Sequence, residues 1–230
     1  MDKFLRSFLL ERRHFLMNRI SSEIKLSTIG NIARNIFYEN FIHGDRIPIG
    51  HNYYLKITKQ KKLIKKSKNF MQTFKSKYGL SYIDRDCLKM LERNKNEIID
   101  KIDNSPFVIY EKYFANAIVT FKGEKHHRSL NSFFTKLAHT VSPHKFSALD
   151  NPIRKYLKVN SESFFISYIL INDAYLHWIK QNNSVLLALR EKIRYHDKEN
   201  ILSIETLSDL KLLDMIFWFK ANPKKLIHPS

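Results

Sequence analysis

Residues 161–183 read SESFFISYILINDAYLHWIKQNN. No glycine or proline interrupts them, and apolar side chains recur at helical spacing, so the stretch predicts one long α-helix. Ser161 stands at its start as a cap, with Glu162 in the first turn. The rest of the chain carries the same signal. Only 5 Gly and 6 Pro occur in 230 residues, too few for the many tight turns of an all-β fold, and this favours helices joined by short connections.

Working outward, SDLKLLDMIFWFKAN closes the chain as a helix capped by Ser208, and LLALREKIRYH precedes it as another. At the other end, Phe4, Leu5, Phe8, Leu9, Phe15, Leu16, Ile20 and Ile24 recur at helical spacing, and Thr28–Phe41 continues the pattern. HGDRIPIGHN (43–52) reads as a loop. A lysine-rich helix follows, although a short strand over 53–58 also fits. Asp84–Ile102 reads as a helix with Leu88, Leu91, Ile98 and Ile99 inward. Ser105-Pro106 opens FVIYEKYFANAIVTF as a buried helix, and FKGEKHHRS (121–129) is a polar break. The expected architecture is all-α, roughly eight to ten helices in two lobes. The lobes are a basic one over 1–104 and a less charged one over 105–230. No linker separates them, so a single compact unit fits as well.

Hydrophobic residues make up 43% of the chain and aromatics 13%, enough to bury a core and to exclude disorder as the main state. The single cysteine, Cys87, excludes an internal disulfide or a cysteine-based zinc site and suits a reducing cytoplasm. His126-His127 has no cysteine or carboxylate cluster beside it beyond Glu124, so no metal is expected, and no cofactor signature is present. The N-terminus is broken by charges every few residues, which matches neither a signal peptide nor a membrane span. The expectation is a cytoplasmic protein with no membrane partner.

Charge gives the strongest indication of function. Forty Lys+Arg oppose 22 Asp+Glu, a net +18, and no acidic residue occurs between Arg46 and Ile83. Lys59, Lys61, Lys62, Lys65, Lys66 and Lys68 crowd that window. Such a surface repels itself unless a polyanion neutralises it, and nucleic acid is the partner this predicts. Lys125, His127 and Arg128 add a second basic cluster, and Tyr53, Tyr54 and Tyr78 are either base-stacking or core residues.

One motif bears on chemistry. Lys136 and His139 share a helix face, and Asp150 stands before Asn151-Pro152, where a carboxylate caps a helix start. The run KLAHTVSPHKFSALDNPIRKYL resembles the helix–turn–Asp–helix segment of the helix-hairpin-helix DNA glycosylase superfamily, in relatives with a pattern close to K-x-x-H-x-x-x-P-x-x-F-x-x-x-D. Lys136, His139, Pro143, Phe146 and Asp150 occupy those places. The resemblance implies DNA as partner, base flipping and N-glycosidic cleavage. Asp150 would be the carboxylate acting at the sugar, and Lys136 or His139 an acid, base or phosphate contact. The superfamily's Gly-x-Gly hairpin is replaced by FKGEKHHRSLN, with one glycine. Two alternatives stand beside this reading. One is a non-catalytic nucleic-acid-binding module. The other is a helical ribonuclease of the HEPN type, in which Arg190 and His196 match the R-x(4–6)-H spacing.

Overall fold

The computed structural model describes residues 3–37, 47–59, 61–80, 83–121 and 123–222, with side chains described over 7–37, 50–58, 64–80, 83–119 and 123–222. Thirteen α-helices and one two-stranded antiparallel sheet are formed among the described residues. The chain divides into two units: Met1–Gly44 with Leu149–Ser230, and Asp45–Ala148, inserted between those segments. This division differs from the expected boundary at 104/105. The N-terminal helices belong with the C-terminal ones, because apolar periodicity marks a buried face without saying which other face will cover it.

The first unit contains α1 (Lys3–Glu23), α2 (Ile29–Arg34), α10 (Asn151–Tyr156), α11 (Phe164–Gln181), α12 (Asn183–His196), a 3-10 turn (Ile204–Thr206) and α13 (Asp209–Ala221). Helix α11 is the long helix expected from its sequence, but its cap is Ser163, which accepts from the Ile166 N–H at 3.3 Å. The Ser161 hydroxyl instead donates to Glu162 at 2.9 Å. Helix α1 packs along α11, where the Trp178 indole N–H donates to Ser21 at 2.9 Å. Helix α2 packs on α12, and α10 on α13. Tyr175 stacks on Phe217 with ring centroids 5.6 Å apart, and both side chains are fully buried. As expected, Ser208 caps α13, accepting from the Lys211 N–H at 3.1 Å.

The inserted unit contains α3 (Ile47–Lys59), α4 (Lys61–Lys66), α5 (Phe70–Lys77), α6 (Arg85–Arg93), α7 (Lys95–Lys101), α8 (Pro106–Tyr113), β1 (Ala117–Phe121), β2 (Glu124–Arg128) and α9 (Asn131–Val141). Its core is a chain of aromatic rings. Phe74 contacts Phe70 at 5.6 Å and Phe133 at 5.2 Å, Phe133 meets Phe114 at 5.9 Å, and Phe134 meets Tyr110 at 5.2 Å. Edge-to-face and tilted rings of this kind add to area burial.

Three local expectations are corrected. Residues 53–58 are helical, not a strand: Tyr54 and Ile57 are buried three places apart, the spacing of a helix face. Residues 47–52, expected in a loop, open α3, with Pro48 in the first turn, where its missing N–H has no helical role. Residues 43–46 of that loop lie outside the described residues. The β element lies instead in the apolar run expected to be helical. That helix stops at Tyr113, and Ile118, Val119 and Thr120, all β-branched, form β1. Gly123 takes φ +86° in the connection, and the register pairs Ala117 with Arg128 and Phe121 with Glu124. A bridge between Ile83 and Val119 holds the hairpin to the chain just before α6 and leaves β2 as the outer strand.

Candidate nucleic-acid interface

The residues picked out by the glycosylase-like motif fall in both units. Asp150 belongs to the first unit, while Lys136 and His139 lie on α9 of the inserted unit. Asp150 occupies the N-cap position of α10 with an extended backbone (φ −122°, ψ 158°), and its main-chain oxygen accepts from the Arg154 N–H at 3.2 Å. Its carboxylate makes no capping hydrogen bond, in contrast to the expected cap. His139 is a core residue, 2% exposed. Its ring stacks on Tyr54 with centroids 5.2 Å apart and planes 7° from parallel, and its Nδ1 is 2.6 Å from the Phe146 carbonyl oxygen. Lys136, one turn earlier, is half-buried, with its ammonium 6.0 Å from the Tyr78 ring centroid. Shared helical spacing therefore brings a surface cation and a buried imidazole close in sequence without giving them the same exposure.

The lysine-rich segment is placed in pieces. Lys65 and Lys66 end α4, and Lys68 lies in the link to α5; all three are exposed. Lys65 pairs with Asp100. Lys59, Lys61 and Lys62 belong to α3 and α4, but their side chains lie outside the described residues. Lys125, His127 and Arg128 are exposed on β2, where Lys125 and His127 share one face of the hairpin and Arg128 the other. Among the aromatic candidates, Tyr54 is buried, and Tyr53 and Tyr78 pack edge to face with centroids 6.2 Å apart. Burial pushes the Tyr53 phenol well above its usual pKa. These tyrosines belong to the packed interior more than to a stacking platform.

Sequence reasoning missed a more organised feature. Helix α6 carries Arg85, Lys89 and Arg93 at four-residue intervals, which places them in a row along one side. The row borders a groove of about 430 Å³ between α5 and α6, lined also by Asn69, Gln72, Leu88 and Glu92. Cys87, Leu88 and Leu91 bury the other side of α6, so packing of the apolar stripe holds the cationic row outward. Asp84 caps the helix, accepting from the Asp86 N–H at 2.8 Å. Glu92 is the one carboxylate of the lining, and it is already engaged: it accepts from the Met71 N–H at 2.9 Å and from Lys95 at 2.7 Å. Lys95 also donates to the Ser67 carbonyl. Together Glu92 and Lys95 fix the start of α5 and the link before it against α6. Lys89 pairs with Asp86 at 3.1 Å, both exposed, whereas Arg85 and Arg93 form no ion pair among the described residues. The four-residue repeat of cations in RDCLKMLER was the available signal; it was obscured because the denser lysine run upstream dominated the charge pattern.

The ribonuclease-like pair is also placed. Arg190 is used structurally: its guanidinium donates to the carbonyls of Ile204 and Leu207 and pairs with Asp209 at 2.6 Å. His196 ends α12 with its ring 5.4 Å from that of Tyr195. Cys87 is buried, and burial raises its thiol pKa, as befits a core residue. Among the described residues no group of three or more His, Cys, Asp or Glu could hold a metal ion, and no helix is long and apolar enough to cross a membrane.

Comparison of the chain with protein-family models, curated proteins and solved structures finds no match. The functional reading therefore rests on the charge and geometry of the inserted unit.

Proposed function

We propose that the protein binds nucleic acid through the inserted unit, with the α5–α6 groove and the cations around it as the contact surface. The observation that carries this is the row of Arg85, Lys89 and Arg93 along a groove whose single carboxylate is already neutralised. The unit's sequence supports it: Asp45–Ala148 contains 21 Lys+Arg and 9 Asp+Glu, a net +12 of the chain's +18. Cations in a row neutralise successive phosphates and release their counterions, which makes affinity strongly salt-dependent. A cytoplasmic setting, suggested by the lone cysteine, belongs to the same reading. The test is binding of a labelled duplex and a labelled single strand over a series of salt concentrations. A log–log slope of several units is expected, and a flat response rejects the proposal.

A finer reading concerns chemistry on DNA, through the resemblance to helix-hairpin-helix glycosylases. What supports it is the run of Lys136, His139, Pro143, Phe146 and Asp150, with Asp150 at the start of α10. In this reading Asp150 stabilises positive charge at the sugar while an extruded base departs. His139 is closed into the core, its ring stacked on that of Tyr54. Asp150→Asn is expected to abolish base release from damaged duplexes and leave salt-dependent binding intact. Base release retained by that variant removes Asp150 from the chemistry.

A further inference from the structure

The groove between α5 and α6 also bears on which form of nucleic acid it accepts. Its volume, about 430 Å³, lies within the range of pockets that enclose one small ligand, on the order of 300–1,000 Å³. A duplex can lie only across its mouth, whereas a single nucleotide can enter. The lining has the parts such a nucleotide requires. Leu88 is the apolar residue of the lining, its side chain mostly covered by the core. Asn69 and Gln72 supply amides that both donate and accept, the chemistry that reads a base edge. Neither amide makes a side-chain hydrogen bond among the described residues, because the start of α5 is capped by Glu92 and not by Asn69. Opposite them, Arg85, Lys89 and Arg93 rise along α6 by about 6 Å per step, close to the spacing of consecutive phosphates on an extended strand.

We infer that this groove is a pocket for an unpaired nucleotide within a strand, so that the protein prefers single-stranded or locally unpaired nucleic acid to intact duplex. The inference rests on the nucleic-acid-binding reading above and specifies its substrate class. The cation row would hold the backbone on either side of the seated nucleotide, while Gln72 and Asn69 contact its base. Contacts to a base edge need the base turned out of its stack, which a single strand, a bulge or an overhang supplies at lower cost than a paired duplex.

The test uses the full chain and three labelled oligonucleotides of one sequence: a single strand, a blunt duplex, and a duplex with one unpaired nucleotide. Binding to the single strand and to the bulged duplex is expected to be about tenfold tighter than to the blunt duplex. Gln72 is exposed on α5, so Gln72→Ala should fold normally. It is expected to weaken binding of the single strand and of the bulged duplex severalfold more than binding of the blunt duplex, so that most of that preference is lost. Asn69 has φ +57°, so Asn69→Gly keeps the backbone and serves as a second variant with the same expected effect. Equal affinity for all three oligonucleotides overturns the inference but leaves the nucleic-acid reading in place, as does an equal loss on all three in Gln72→Ala. Tight binding of a nucleoside monophosphate without preference among the strands overturns it as well. Failure to bind any of them removes both readings.

Discussion

In the first unit several arginines tie elements of the fold together, while in the inserted unit Arg85 and Arg93 border a groove. Arg13 pairs with Asp173 at 2.6 Å, Arg19 donates to the Tyr156 carbonyl at 3.0 Å, and Arg154 donates to the Glu162 carbonyl at 2.7 Å. Arg190 clamps the 3-10 turn and α13. Each of these links joins separate elements, and those of Arg13 and Arg19 span more than 130 residues of chain. In the inserted unit the acidic residues are too few for that pattern. Lys65, Lys95, Lys101 and Lys112 find carboxylates, whereas Arg85 and Arg93 do not among the described residues. The first unit has a net +6 and the inserted unit a net +12. A guanidinium with its donors satisfied within the fold is a structural element. One left beside a groove is available for an anion.

The sharpest way to break this comparison is to remove a core ring from each unit. Phe217→Ala and Phe74→Ala are each expected to cost about 3–5 kcal/mol. Hydrogen exchange should accelerate mainly in the helices of the unit that lost the ring; faster exchange spread equally through both would erase the distinction. The groove comes next. Neutralising Arg85, Lys89 and Arg93 together to Gln should weaken nucleic-acid binding by roughly a hundredfold at low salt and reduce the log–log slope by about 2–3. The same number of substitutions at Lys155, Lys158 and Lys192, exposed in the first unit, should change affinity only slightly, and an equal loss would show that net charge alone governs binding. Arg190→Ala should then destabilise the fold by about 2 kcal/mol, through carbonyls left without their donor, while leaving nucleic-acid affinity unchanged.

The smallest effect expected is with pH. Glu97, which accepts from Tyr113 at 2.6 Å and from Lys112 and Lys101, is held at a pKa of about 2, below the ordinary 4.5. Its native value is depressed, so its contribution is fully present above the ordinary value and is lost as pH falls from there toward about 2. Wild type should therefore show a small loss of stability over that window that Glu97→Gln lacks. Identical acid profiles for the two proteins would show that this junction of α7 and α8 contributes nothing.

Legibility differed from place to place in the chain for physical reasons. The long α11 could be read directly, since uninterrupted apolar residues with serines at the start leave few alternatives, although the cap moved two residues to Ser163. The hairpin was misread because Ala117–Phe121 is as apolar as a buried helix and too short for period to discriminate. His139 and Lys136 were legible as neighbours on a helix but not in their exposure, which depends on Tyr54 and Phe146 arriving from elsewhere.

From its own residues the chain determined a helical body, a strong positive excess and the segments where that excess concentrates, because periodicity and charge are local properties. Only the folded structure decided that α1 and α2 join the C-terminal helices and that α6 lies beside α5 with its cations along the cleft. It also decided that Glu92 is neutralised by Lys95. Each of these depends on which surfaces meet, and surfaces meet through packing between residues far apart in the chain.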